Sequence, residues 1–201
     1  MQLWTIQSAE VWQILQRNKV LRAKREHVIQ SWDSDYNLPA YDWLRERMTE
    51  RVGPPPEPDI YPMWAYFQFA DAKHRCPDLR RVRSWHPRGK QMLLLELGVD
   101  ENRVLLSDYY DWHYVLNDYY FGLSEAENID FENADHPAEV ARALKFESWL
   151  RCLDMDFHAP GYSSPRDEKT IQATIWELRV EDVVGVREFV GSGTPSRFSW
   201  S

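Results

Sequence analysis

A chain of 201 residues, 43% hydrophobic and 14% aromatic, carries enough apolar material to build the core of one domain. Its formal net charge of −8 argues against indiscriminate nucleic-acid binding by the whole surface, and two cysteines supply neither a disulfide framework nor a zinc cluster. No apolar run approaches the roughly 18 residues of a membrane span and the N-terminus lacks a signal-peptide layout, so the expectation is a cytoplasmic protein with reduced thiols and no membrane partner.

In chain order, Leu3–Ile6 reads as a short strand, and Ser8 as the N-cap of a helix through Asn18 whose core face is Val11, Trp12 and Leu15. Lys19–His27 alternates basic and apolar residues without a clear period and is a strand or loop. Pro39 suits a first helical turn, Tyr41, Leu44, Met48 and Val52 recur at helical intervals, and Gly53 ends that helix ahead of the prolines at 54–58. Met63–Phe69 alternates as an aromatic strand, with Trp64, Tyr66 and Gln68 on its wetter face.

Met92–Leu97 has the near-continuous apolar run of a strand covered on both faces, and Val104–Leu106 makes a shorter one. Ser107 or Asp108 then sits where an N-cap would begin a helix carrying Asp111, Trp112 and His113. Phe121–Asp135 is acidic and irregular. Asp135 reads as the cap of a helix with His136 and Pro137 in its first turn and Val140 and Leu144 on its core face. Ala159–Asp167 is a loop over the sheet, Ile171–Trp176 alternates as a strand, Val183–Val190 is the last strand, and the segment from Gly191 onward has little to bury. Trp64, Leu94, Leu95, Val104, Leu144, Ile175 and Val186 are expected in one contiguous core.

Chemistry is sparse. The spacings of zinc proteases, zinc ribbons and nucleophile elbows are missing, and no motif points to a metal. Asp108 and Asp111 lie near His113, and a carboxylate beside an imidazole can orient it as a general base, so these three are the catalytic candidates. Asp154, Asp156 and His158 alternate; as a strand they would put three possible metal ligands on one face, and a turn with solvated acids is the competing explanation. The compositional outlier is Lys73–Lys90, where Lys73, Arg75, Arg80, Arg81, Arg83, Arg88 and Lys90 crowd together with only Asp78 opposing. Arginine forks match phosphate oxygens and Trp85 among them can stack on a base; a solvated charged loop is the competing explanation.

Two resemblances add to this. LWTIQSAEVWQIL, AYDWLRERM, YPMWAY, LLLELGV with VLLSDYYDWHYVLN, and QATIWEL resemble the bacterial family of domain of unknown function number thirty-eight forty-one over nearly the whole chain, which implies a bacterial source and no established activity. The order of elements is also similar to ADP-ribosyltransferase-like domains of the DNA-targeting toxin kind. That similarity implies NAD as cofactor, with Thr5, Gln7, Gln172 and Thr174 beside the ligand and Ser107–Asp108 as a strand-end pair. Thr5 stands where those domains place a histidine or arginine, and Thr174 where they place the glutamate that stabilises charge on the ribose.

The expectation is therefore a single α+β domain over residues 1–190, with a central mixed sheet flanked by helices and a flexible tail over 191–201. Its leading function is binding a nucleotide or nucleic-acid phosphate beside the sheet through Thr5, Gln7, Arg80, Arg81, Arg83, Trp85, Gln172 and Thr174. The rival is a protein-interaction module without a small-molecule ligand.

Overall fold

Nine strands assemble into two sheets in a computed structural model, which describes residues 1–26 and 37–194. The larger has six strands in the order β6-β7-β4-β1-β5-β9: β1 Gln2–Ser8, β4 Met63–Gln68, β5 Gln91–Gly98, β6 Leu105–Asp108, β7 Ile171–Ile175 and β9 Val183–Val190. The smaller is β3-β2-β8, formed by β2 Val20–Lys24, β3 Ile60–Tyr61 and β8 Glu177–Arg179. Ladders between named strands are antiparallel, and a parallel pairing occurs at the bridge between Pro87 and Gly193. Helices α1 Ala9–Asn18, α2 Leu38–Arg51, α3 Leu79–Val82, α4 Trp112–Leu116, α5 Glu125–Asn133 and α6 Ala138–Trp149 complete the α+β domain.

Local chemistry sets several boundaries as expected. The Ser8 hydroxyl accepts from the Val11 backbone N–H and starts α1, and Lys19, at a left-handed φ of 68°, ends it. Pro39 lies in the first turn of α2, and Gly53 follows its end with a φ of +111°. The Lys19–His27 stretch resolves into strand β2, with His27 outside the described residues.

The core is divided by the sheet. In the row Trp64, Thr174 and Leu105, the register puts side chains on the face packed by α2, α4 and α6, where Trp43, Leu44, Met48, Trp112, Val115, Phe121 and Trp149 are buried. One residue along, Ala65 and Ala173 face α1, with Leu3, Leu15, Leu93, Leu95 and Leu97. This corrects the expectation of one contiguous core. Leu94, Leu95 and Ile175 are buried, Trp64, Val104 and Leu144 are half-buried, and Val186 is 41% exposed because β9 is the outermost strand and α1 does not reach it.

Other corrections are local. Gln68 is buried, because a register irregularity between Tyr66 and Gln68 turns its amide inward to the carbonyls of Lys169 and Arg166. The helix expected from Ser107 or Asp108 begins only at Trp112, since Asp108 ends β6 and its carboxylate accepts from the N–H groups of Tyr110 and Asp111. The acidic stretch after Phe121 contains α5, capped by Ser124. Asp135, His136 and Pro137 precede α6 rather than entering it, and Val140 is exposed.

Residues 191–193, at the start of the tail expected over 191–201, are bonded to the basic segment. Gly191, Ser192 and Gly193 donate to the carbonyls of Lys90, Arg83 and His86, while Arg88 and Gly89 donate back to Gly193 and Gly191. A Cβ on Gly191 would lie 2.2 Å from the Pro87 carbonyl oxygen and one on Gly193 2.3 Å from that of Ser84, so both approaches require glycine. Residues 195–201 lie outside the described residues.

Candidate functional site

Two groups of polar side chains lie near the open end of β4, β6 and β7, one buried and one exposed. The buried group is centred on Lys169, the residue before Thr170 and β7, whose side chain is fully enclosed. Its Nζ donates to Asp108 Oδ2 at 2.8 Å and to Ser163 Oγ at 2.7 Å, and lies 3.6 Å from Asp111 Oδ2. Ser163 Oγ in turn donates to Asp111 Oδ2 at 2.8 Å. Two carboxylates thus share one ammonium out of water. Burial and the neighbouring Asp108 charge push the Asp111 carboxyl up to about 6, against the opposing pull of Ser163 and Lys169. Burial, reinforced by Asp111 and Asp108, also raises the Cys152 thiol.

Asp108 and Asp111 are thereby brought together, but His113 is not with them. It is exposed, its ring meets Tyr109 edge-on, and its Nδ1 lies 2.8 Å from the Tyr109 carbonyl. A carbonyl only accepts, so Nδ1 carries the proton, and no carboxylate among the described residues orients the ring. The loop partner Ser163 and the cation Lys169 were missed from the sequence: Asp108 and Lys169 are 61 residues apart, and a lysine ahead of a strand is usually solvated. Asp154 and Asp156 form a turn in which Asp154 Oδ1 accepts the Asp156 N–H, while His158 Nδ1 lies 2.7 Å from the Ser163 carbonyl.

The exposed group is the basic segment. Arg80 is spent on Asp78 at 2.9 Å, two residues away, and points into solvent. Arg81 behaves differently: its guanidinium stands 5.7 Å from the Phe69 ring centroid, and the half-exposed Trp85 lies tilted on the same ring at 5.8 Å. Phe69 also meets Tyr66 edge-on at 5.2 Å. Burial, with a smaller effect from Tyr109, pushes the Tyr66 hydroxyl up to about 12, so it is neutral at any physiological pH. Arg83 is exposed beside this row, and its carbonyl holds Ser192.

The eight expected ligand residues separate by sheet face. Tyr66, Gln172 and Ser107 are register partners on one face, and Gln172 Oε1 and Ser107 Oγ are buried there without a hydrogen-bond partner among the described residues. Thr174 is on the same face but its hydroxyl is occupied by the Leu105 carbonyl, with Met48 Sδ at 3.3 Å. Thr5 pairs with Leu95 and belongs to the α1 face, its hydroxyl donating to the Trp64 carbonyl and accepting from Gln7 Nε2. Arg81, Trp85 and Gln172 therefore lie on the Tyr66 side, whereas Thr5 and Gln7 do not join them.

The two groups are physically linked. The Thr170 hydroxyl donates to the Phe69 carbonyl at 3.0 Å, and Gln68 Nε2 donates to the Lys169 carbonyl at 2.6 Å, so the buried cluster holds the strand end that presents Phe69. A separate groove of about 220 Å³ is lined by Val52, Pro54, Pro56, Arg103, Trp176, Glu177 and Arg179. Its charges are already paired, Arg103 with Asp182 at 2.7 Å and Arg179 with Glu177 at 2.8 Å. Among the described residues no group of three or more His, Cys, Asp or Glu is arranged to hold a metal, and no helix is long and apolar enough to cross a membrane.

Comparison with known proteins gives one family. The profile described as Domain of unknown function (DUF3841) matches residues 2–184, and the chain belongs to that family. No curated protein and no solved structure matches the chain.

Proposed function

We propose that this member of the DUF3841 family binds a nucleotide or a short single-stranded nucleic-acid segment on the surface formed by Trp85, Phe69, Arg81 and Tyr66. The observation that carries the reading is Arg81 and the half-exposed Trp85 packed on the buried Phe69 ring, which leaves the indole open to solvent with a guanidinium beside it on a protein of net charge −8. Stacking of one base on such a ring contributes roughly 1–3 kcal/mol, and a guanidinium alongside meets a phosphate in fork geometry. The reading is of binding and not of group transfer: Thr174 supplies no carboxylate and Thr5 lies on the other sheet face.

The test is a fluorescence-anisotropy titration at low salt with labelled single-stranded DNA and RNA, with NAD and mononucleotides as competitors. Binding should weaken as salt is added, by a slope of a little under one per phosphate contacted. Replacing Arg80, Arg81 and Arg83 together by alanine should abolish it while leaving the thermal midpoint nearly unchanged, because all three side chains are exposed. Absence of affinity for every one of these probes in the unmutated protein would overturn the proposal.

A further inference from the structure

Building on the binding proposed above, we infer that the surface continues past Tyr66 into a base-reading site, where Gln172 Oε1 and Ser107 Oγ together accept from the exocyclic amino group of an adenine or cytosine in a single strand. Two hydrogen-bonding atoms left idle by the fold point to it. Ser107 is 1% exposed and Gln172 9%, yet neither Ser107 Oγ nor Gln172 Oε1 has a partner among the described residues. Burying an unpaired polar atom is costly, and folded chains rarely keep two at adjoining positions without a use for them.

The polar groups around these two atoms are satisfied within the chain. Thr174, on the same face of β7, gives its hydroxyl to the Leu105 carbonyl, and the Gln68 amide donates to the carbonyls of Lys169 and Arg166. The Lys169 ammonium is spent on Asp108 and Ser163. The row Ser107, Gln172, Tyr66 is also graded in depth, from nearly sealed at Ser107 to half-buried at Tyr66. At that more open end the Tyr66 ring meets Phe69 at 5.2 Å, and Phe69 carries Arg81 and Trp85. The idle acceptors thus lie at the closed end of a row whose open end has the stacking ring and the guanidinium.

The chemistry of the two atoms selects the ligand. Both accept: the amide oxygen has no proton, and the hydroxyl oxygen has lone pairs to offer. Gln172 and Ser107 are register partners, and the Cβ atoms of such a pair stand roughly 4.5–5.5 Å apart. Two acceptors bonded to one planar amino group, each about 2.9 Å from its nitrogen, are themselves about 5 Å apart, so a single amino group can serve both. Adenine and cytosine carry that group on the ring edge, whereas guanine, thymine, uracil and hypoxanthine carry an oxygen there, which would set acceptor against acceptor. Phe69 and Tyr66 lie between Trp85 and Gln172, so the base on the indole and the base read at Gln172 belong to different nucleotides of one strand.

The experiment is fluorescence anisotropy at low salt with two pairs of short labelled single-stranded oligomers that differ only in amino for oxo, deoxyadenosine against deoxyinosine and deoxycytidine against deoxyuridine. The amino member of each pair should bind on the order of tenfold tighter. Gln172→Leu combined with Ser107→Ala should bring both ratios to about one while the oxo oligomers bind as before. Its thermal midpoint should not fall, because the substitutions remove two unpaired buried polar atoms. Equal binding within either pair, tighter binding of an oxo member, or ratios that persist in the double variant would overturn the inference and leave the surface at Trp85 standing; the first two are read on the unmutated protein. Absence of binding to every oligomer would overturn the surface and the inference together.

Discussion

The Lys169 cluster and the Arg80–Arg83 turn are both built from charged residues near the end of the same strands, yet the first is enclosed and the second solvated. Enclosure decides what each can do. Lys169 has lost its water and depends on Asp108, Asp111 and Ser163, whereas Arg80 retains solvent and its neighbour Asp78. The buried cluster therefore bears on stability and on where the loop and strand ends sit, while the ion pair of the exposed turn contributes little to folding.

The largest effect that would break this contrast is at Lys169. Lys169→Met leaves two carboxylates enclosed without a cation, and losing one partner of a buried pair costs about 3–5 kcal/mol. Equilibrium unfolding at neutral pH should show a loss in that range. A loss as small as that of an exposed arginine would erase the distinction between the two regions.

A smaller effect is expected from pH. The folded state raises the Asp111 carboxyl from its ordinary 3.8 to about 6, so between those values the folded chain binds more protons than the unfolded one and its stability falls as pH rises. At about 1.4 kcal/mol per unit, the loss is on the order of 3 kcal/mol, complete above the folded value and missing below about pH 4. Asp111→Asn should remove it. The measured quantity is the difference between the two pH profiles, since Glu177, Asp71 and Asp78 are held low and act in the opposite sense. Parallel profiles between pH 4 and 6 would show that Asp111 is not strained by its surroundings.

The contrast also marks what the sequence made legible. Ser8 as a cap, Gly53 as a stop and Met92–Leu97 as a doubly covered strand rest on neighbours within a few residues, and the structure bears them out. Val186 was misplaced for a different reason: alternation tells which face a side chain takes, but not whether another element covers that face. Lys169 is harder still, because the composition of 166–170 says only that the segment is polar; its burial follows from Asp108 and Ser163, which reach it through the closure of β6 on β7 and the fold of the 159–168 loop. The aromatic row at Phe69 depends likewise on Arg81 and Trp85 being carried back by α3 and the Gly191–Gly193 bonds.

The smallest expected effect sharpens the comparison, because it falls on the bond that joins the two regions. Thr170→Val keeps the volume and β-branching of the side chain and removes the hydroxyl that donates to the Phe69 carbonyl. Loss of one neutral hydrogen bond at a buried position costs about 1 kcal/mol. If the buried cluster serves as the footing of the exposed surface, this variant should also weaken oligonucleotide binding, although it removes no cation and no ring from that surface. The alanine triple at Arg80, Arg81 and Arg83 should show the reverse pattern, binding lost with stability kept. A Thr170→Val protein that loses stability but binds as before would mean the two regions are neighbours without being coupled, and that Phe69 is held in place by its own packing against Tyr66 and Trp85.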